Sequence, residues 1–118
     1  MPDKVNLNEE KRIIEVYSSG EVVYDEMVES IKKIEMISEK TGINKVLIDT
    51  GEMTSLPPSS DIYDLAEIFP RTLKIAVYIL KDSPIKENLN FGITVALNRG
   101  ILISLFESKD EAEKWLLR

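Results

Sequence analysis

The side chains best able to do chemistry gather between Lys45 and Asp61, in KVLIDTGEMTSLPPSSD, where an apolar run ends in Asp49 and is followed by Thr50, Thr54, Ser55, Ser59, Ser60 and Asp61. A phosphoryl group on a hydroxyl at a helix start would add about −1.5 to −2 charge where the helix dipole favours an anion. Asp61 opposes that gain, and Ser is also an ordinary helix cap. Asp49, Glu52, Asp61 and Asp64 carry the oxygen ligands that Mg²⁺ or Ca²⁺ take. An Asx turn after the strand accounts for Asp49 equally well, and no metal is expected. Arg99, in Asn98-Arg99-Gly100, is a candidate anion contact, able to fork onto a carboxylate or phosphate or to neutralise a helix C-terminus.

The chain has no His and no Cys. That removes disulfides, thiolate metal sites, Cys nucleophiles and the usual near-neutral acid or base. No GxSxG, P-loop or GxGxxG stretch is present either. We therefore expect no catalytic residues and no cofactor, in a protein that is not an enzyme.

The elements that must position these residues follow from spacing. Val5 to Leu7 and Ile13 to Tyr17 predict a hairpin around Asn8-Glu9-Glu10. Met27, Ile31 and Ile34 recur at helical spacing within Tyr24 to Lys40, and Gly42 supplies a stop. Val46 to Ile48 is a strand apolar enough to be covered on both faces, followed by a polar loop from Thr50 to Pro58. Ser59 or Ser60 then caps a helix with Ile62, Leu65, Ala66 and Phe69 on one face, closed by Pro70. Ile75 to Leu80 predicts a strand, and Ser83-Pro84 opens a helix over 84–98. In that helix Ile85, Leu89, Gly92 and Ala96 make one stripe, while Phe91 and Val95 lie on another side as a candidate interface. Ile101 to Phe106 is the last strand, and Ser108 to Glu111 has capping-box spacing before Ala112, Trp115 and Leu116. Alternating strands and helices in this order predict an α/β fold with a mostly parallel sheet.

At 118 residues the chain is expected to form one domain over residues 1–118. Apolar content of 43% and charged content of 31% are ordinary for a globular domain. A net charge of −6 argues against nucleic acid as a partner. The start MPDKVNLNEEKR lacks an apolar signal core, and no run approaches the roughly 18 residues of a membrane span. A cytoplasmic address is the expectation.

With the elements placed, GEVVYDEM, VLIDTGEM, DIYDLAEIF, KIAVYIL and VALNRGILISLFESKDEAEKWL together resemble the SpoIIAA-like family. That family is related in fold to STAS domains, the anti-sigma-factor antagonist modules, and more remotely to Sec14-type lipid-binding domains. The resemblance spans about residues 13 to 117 and rests most on Asp49, on Asn98-Arg99-Gly100, and on Phe106 followed by a capped helix with Trp115. It implies a βα superhelix around a partly mixed sheet of about four or five strands, with about four helices. It implies no family-wide catalysis. It also implies a regulatory serine after the second core strand, by position Ser59 or Ser60, although Pro57-Pro58-Ser59-Ser60-Asp61 stands where antagonists carry an Asp-Ser-Ser-Gly type of sequence. The expected function is regulatory or protein-interaction work with another protein or a second copy as partner, a homodimer included. The alternative is a carrier of an apolar small molecule or lipid.

Overall fold

The computed structural model describes residues 3–118. Strands β1 (Lys4–Asn8) and β2 (Ile13–Glu21) form the expected antiparallel hairpin, with Val5 opposite Val16 and Leu7 opposite Ile14. Asn8 Oδ1 accepts a hydrogen bond from Lys11 N at 3.0 Å and so holds the turn. Strands β3 (Lys45–Ser55), β4 (Lys74–Tyr78) and β5 (Leu102–Phe106) then add in parallel, giving a five-stranded mixed sheet in the order β1-β2-β3-β4-β5. Each parallel step is made through a helix, as parallel pairing requires. These helices are α1 (Tyr24–Thr41), α2 (Ser59–Ile68) and α3 (Lys86–Asn98), and α4 (Lys109–Leu116) closes the chain.

Side chains alternate between the faces of a strand, so the apolar runs must be covered twice. On one face Ile14, Val16, Val46, Ile75 and Val77 pack with Ile34 of α1 and with Ile93 and Ala96 of α3. On the other, Ile13, Leu47 and Ala76 pack with Ala112 and Leu116 of α4. Two predicted ends hold. Gly42 closes α1 at φ 75, with its N–H donating to Ser38 O at 2.8 Å, and Ser108 Oγ caps α4 by accepting from Glu111 N at 3.3 Å.

Three boundaries differ from expectation, each for a local reason. The polar loop expected from Thr50 is mostly strand. β2 runs on to Glu21 and offers Ser19, Gly20 and Glu21 as partners for Glu52, Met53 and Ser55, through an irregular register. β3 therefore continues to Ser55 and only Leu56 to Pro58 remain as connection. Helix α2 is preceded by Pro58 as N-cap, with no side-chain cap, so Ser59 and Ser60 are its first residues and do not cap it. Helix α3 starts at Lys86 because Pro84 lies in a turn, in which Ser83 Oγ accepts from Ile85 N at 3.3 Å.

Leu116 is fully buried and is the larger of the two α4 side chains buried on the second face. Leu116→Ala should cost about 2–5 kcal/mol in urea unfolding with an unchanged slope. A loss below about 0.5 kcal/mol, ordinary for a surface change, would mean that α4 does not close that face.

Candidate functional site

The residues singled out between Asp49 and Asp61 do not form one site; the sheet distributes them over three places. Asp49 lies midway along β3 and faces the α4 side. Its Oδ1 accepts from Gly51 N at 2.9 Å, and its Oδ2 pairs with Lys109 Nζ at 2.7 Å. The local bond is the Asx arrangement anticipated from the sequence, except that the strand continues past it. A Cβ at Gly51 would stand 3.1 Å from Asp49 Oδ1, so any larger residue there would push the carboxylate aside by a few tenths of an ångström. Lys109, at the start of α4, also lies 5.3 Å from the centre of the Tyr78 ring. The hydrogen bond to Asp49 holds the Lys109 amine protonated above its ordinary range, reinforced by the Asp49 charge and opposed by desolvation. Tyr17 is also raised, first by desolvation and then by the charges of Glu52 and Asp49, while Lys109 pulls it down.

Thr50 faces the opposite way. It is 2% exposed and its Oγ1 donates to Tyr78 O at 2.7 Å, which corrects its placement in an accessible regulatory loop. The reason is topological: β4 ends at Tyr78, so the Thr50 hydroxyl takes the last carbonyl that a longer β3 would otherwise leave unpaired. Thr50 lines an apolar cavity of about 130 Å³ between the sheet and α1, α2 and α3. Thr54 is exposed on the extended end of β3, and Ser55 O accepts from Val22 N at 3.3 Å. Ser55 and Asp61 line an open cleft of about 320 Å³ at the carboxyl ends of β2 and β3, with Glu21, Tyr24 and Asp25. No group of three or more acids among the described residues is placed to hold a metal ion. Asp49, Glu52, Asp61 and Asp64 are thus not brought together as ligands.

The third place is the outer surface of α2 and α3. Ser59 and Ser60 are exposed on the first turn of α2. Tyr63, one turn on, meets Phe91 of α3 edge to face with ring centres 5.8 Å apart. Both remain accessible, at 44% and 37%. Arg99 lies 5.2 Å from the centre of the Tyr63 ring, and its Nε donates to Glu67 Oε1 at 2.7 Å. That hydrogen bond, with the Arg99 charge, holds the Glu67 carboxyl below its usual range. Arg99 therefore already binds an anion, supplied by α2. Phe91 and Arg99, predicted for unrelated roles, share one patch. Val95 does not belong to it. At 4% exposure it is buried, because α3 is wedged between β5 and α2 and both sides of its broad apolar surface are used.

Sequence reasoning passed over Tyr63, Glu67, Lys109 and Tyr17. Tyr63 had a readable signal, being aromatic yet off the Ile62, Leu65, Ala66 and Phe69 stripe, with Glu67 four residues on. Lys109 had none, since its partner is 60 residues earlier in the chain, a separation that only the sheet order closes.

No family model and no curated protein matches the chain significantly. Solved structures do, among them two that align over nearly the whole chain. An uncharacterised protein of the DUF3478 family with a SpoIIAA-like fold, from Shewanella loihica PV-4, aligns over 97% of this chain and 91% of its own, with TM-score 0.59 and 21% identity. An anti-sigma factor antagonist from Mycobacterium paratuberculosis aligns over 98% of this chain and 93% of its own, with TM-score 0.62 and 13% identity. The chain has the SpoIIAA-like, STAS-related α/β fold that the resemblance implied, including the amino-terminal strand. No helix among the described residues is long and apolar enough to cross a membrane.

Two outcomes follow at the Asp49 site. Lys109→Met removes the cation that lowers Tyr17, so the Tyr17 ring resonances should titrate at higher pH than in the wild type. A shift downward would rule out the arrangement. The folded-state pKa of Lys109 is raised, so the bridge contributes fully below the unfolded value of about 10.4 and is lost as pH rises through the folded value. The stability advantage over Lys109→Met, under about 1 kcal/mol for so exposed a lysine, should therefore shrink as pH rises above about 10.4. An advantage that grows over that range would contradict the pairing.

Proposed function

We propose that this protein is a non-catalytic regulatory or protein-interaction domain of the STAS type, acting in the cytoplasm, whose partner docks on the outer face of α2 and α3. The observation that carries the reading is the exposed Tyr63–Phe91 pair flanked by Arg99 and Glu67. Aromatic and Arg side chains held rigidly at a surface are the composition of interaction hot spots. Here the rings fix one another and Glu67 fixes the guanidinium, so little side-chain freedom remains to be lost on binding. The fold shared with an anti-sigma factor antagonist supports a protein partner. The net charge of −6 disfavours nucleic acid.

Ser59 and Ser60 stand on the rim of this patch, exposed and one turn from Tyr63. A phosphoryl group on either would change the charge that a docking partner meets. It would do so next to Asp61 and without displacing a cap, since neither serine caps the helix. Interaction and switching are thus separable. The interaction needs the rings, whereas the switch needs a modified serine.

Tyr63→Ala should weaken partner binding by about 2 kcal/mol or more while leaving the fold intact. The measurement is capture of the partner from the native host by wild type, Tyr63→Ala and Phe91→Glu, with circular dichroism of each and light scattering of the wild type to detect a homodimer. Equal capture by all three, with a monomeric wild type, would remove this face as the docking surface. Intact-mass measurement of the same material tests the switch. If no phosphorylated form occurs under any growth condition, the interaction stands without that trigger.

A further inference from the structure

The cavity between the sheet and helices α1, α2 and α3 is walled almost entirely by apolar side chains, among them Ile34, Leu65, Val77, Ile93 and Ile101. Asp3 also lines it. The Oδ2 of Asp3 accepts from Ser30 Oγ at 2.7 Å, and Ser30, on the buried side of α1, shares that hydroxyl with Glu26 O at 3.1 Å. The other oxygen of Asp3, Oδ1, is buried and has no hydrogen-bond partner among the described residues. A buried carboxylate oxygen without a donor is costly, and native proteins rarely leave one so.

An apolar chamber with one unanswered acceptor matches a molecule with an apolar body and one strong donor. Size narrows the class further. An engineered cavity of about 150 Å³ lined by similar side chains holds benzene, and this cavity measures about 130 Å³. The body is therefore about one ring or a short branched chain, far smaller than a lipid tail. Met27, Leu56, Ile62 and Leu89 line the cavity and are only partly buried, so this part of the wall reaches solvent and offers entry.

We propose that this cavity is a binding site for a small primary amine with a compact apolar body, whose ammonium group donates to Asp3 Oδ1 while the body contacts the sheet and the inner faces of α1–α3. The site lies behind the helices and does not depend on the docking surface of α2 and α3. A charged donor is preferred to a neutral hydroxyl because charge-assisted hydrogen bonds are about twice as strong as neutral ones, and since Asp3 is only partly buried the other two N–H groups of the ammonium keep water as their partner.

The test is an NMR titration of the full chain at about 0.15 M salt, which screens the general attraction of an acidic protein for cations. The probes are benzylamine, benzyl alcohol and toluene, matched in body and graded in donor strength. Benzylamine should bind about tenfold or more tighter than toluene, with the alcohol between them. Asp3→Ala should bring benzylamine down to the toluene level and leave toluene binding unchanged, whereas Ala96→Phe, which fills the chamber, should abolish both. Intermolecular NOEs from the benzyl ring to Ile31, Leu65 and Ile93 in the wild type locate the body and keep the test decisive if Asp3→Ala does not fold. Equal affinities for all three probes, no binding of any, or amine shifts confined to surface acids would each overturn the proposal.

Discussion

The parallel register of β2, β3, β4 and β5 is the constraint on which the rest of the structure depends. It places Ile14, Val46, Ile75 and Ile103 in one row across the sheet and Val16, Ile48, Val77 and Leu105 in the next row on the same face. Branched side chains in successive rows make a continuous apolar surface that only a layer of helices can cover. The row after these, on the other face, is Tyr17, Asp49, Tyr78 and Phe106, and it has no freedom of its own. A slip of one residue in β3 would turn Asp49 into the α1–α3 layer and Ile48 toward α4. The cost of burying that carboxylate without Lys109 fixes the register as firmly as the apolar rows do.

Covering the two faces is an unequal task, and the inequality decides where polar groups can stand. Three helices lie over the first face, but the second has only the eight residues of α4, which reach Ile13, Leu47 and Ala76. Toward β2 the cover by α4 thins and the row must be compatible with water, and it is: Tyr17 is exposed and Asp49 is paired with Lys109 from the start of α4. Lys74 performs the complementary task at the other end of the same helix. Its Nζ donates to Trp115 O at 2.6 Å and lies 4.7 Å from the centre of the Trp115 ring, placing a cation at the negative helix terminus. One lysine at each end therefore ties α4 to the sheet.

The order of elements was legible because each rests on local pattern: the Met27, Ile31 and Ile34 stripe, the Gly42 stop, the Ser108 cap and the unbroken apolar runs of β3 and β4. What local pattern cannot carry is any fact that depends on a neighbour distant in sequence. The polarity of Thr50 through Ser55 reads as a loop, yet the strand extends through it because β2 happens to be long enough to pair with it. Val95 reads as a second surface, yet it is buried. Arg99 reads as an anion contact, and the anion is Glu67 on α2. The polar residue Ser30, one position before Ile31 on the core side of α1, is a local irregularity at the cavity wall, as Ser18 is on β2. Only the return of the chain start over α1 supplied Asp3 as the partner of Ser30.

The same covering layer explains why there is space behind it. Ala66, Gly92 and Ala96 line the cavity from α2 and α3 at positions where larger apolar side chains are compatible with a helix. At Gly92 an added Cβ would meet nothing closer than Ile62 Cγ2 at 3.6 Å, an ordinary contact, so close packing of backbones does not demand the glycine. By the cost of closed cavities in protein cores, about 24 cal/mol for each Å³, a space of 130 Å³ forgoes at most about 3 kcal/mol of stability, less where its wall reaches solvent. That is a large fraction of the roughly 5–15 kcal/mol by which domains are stable. Substitution of a single small residue by Val or Leu would recover part of it. Small residues at three lining positions, together with a carboxylate oxygen left without a donor at the edge of the same space, are two independent costs in one place. Occupancy by a molecule that fills the volume and donates to Asp3 offsets both.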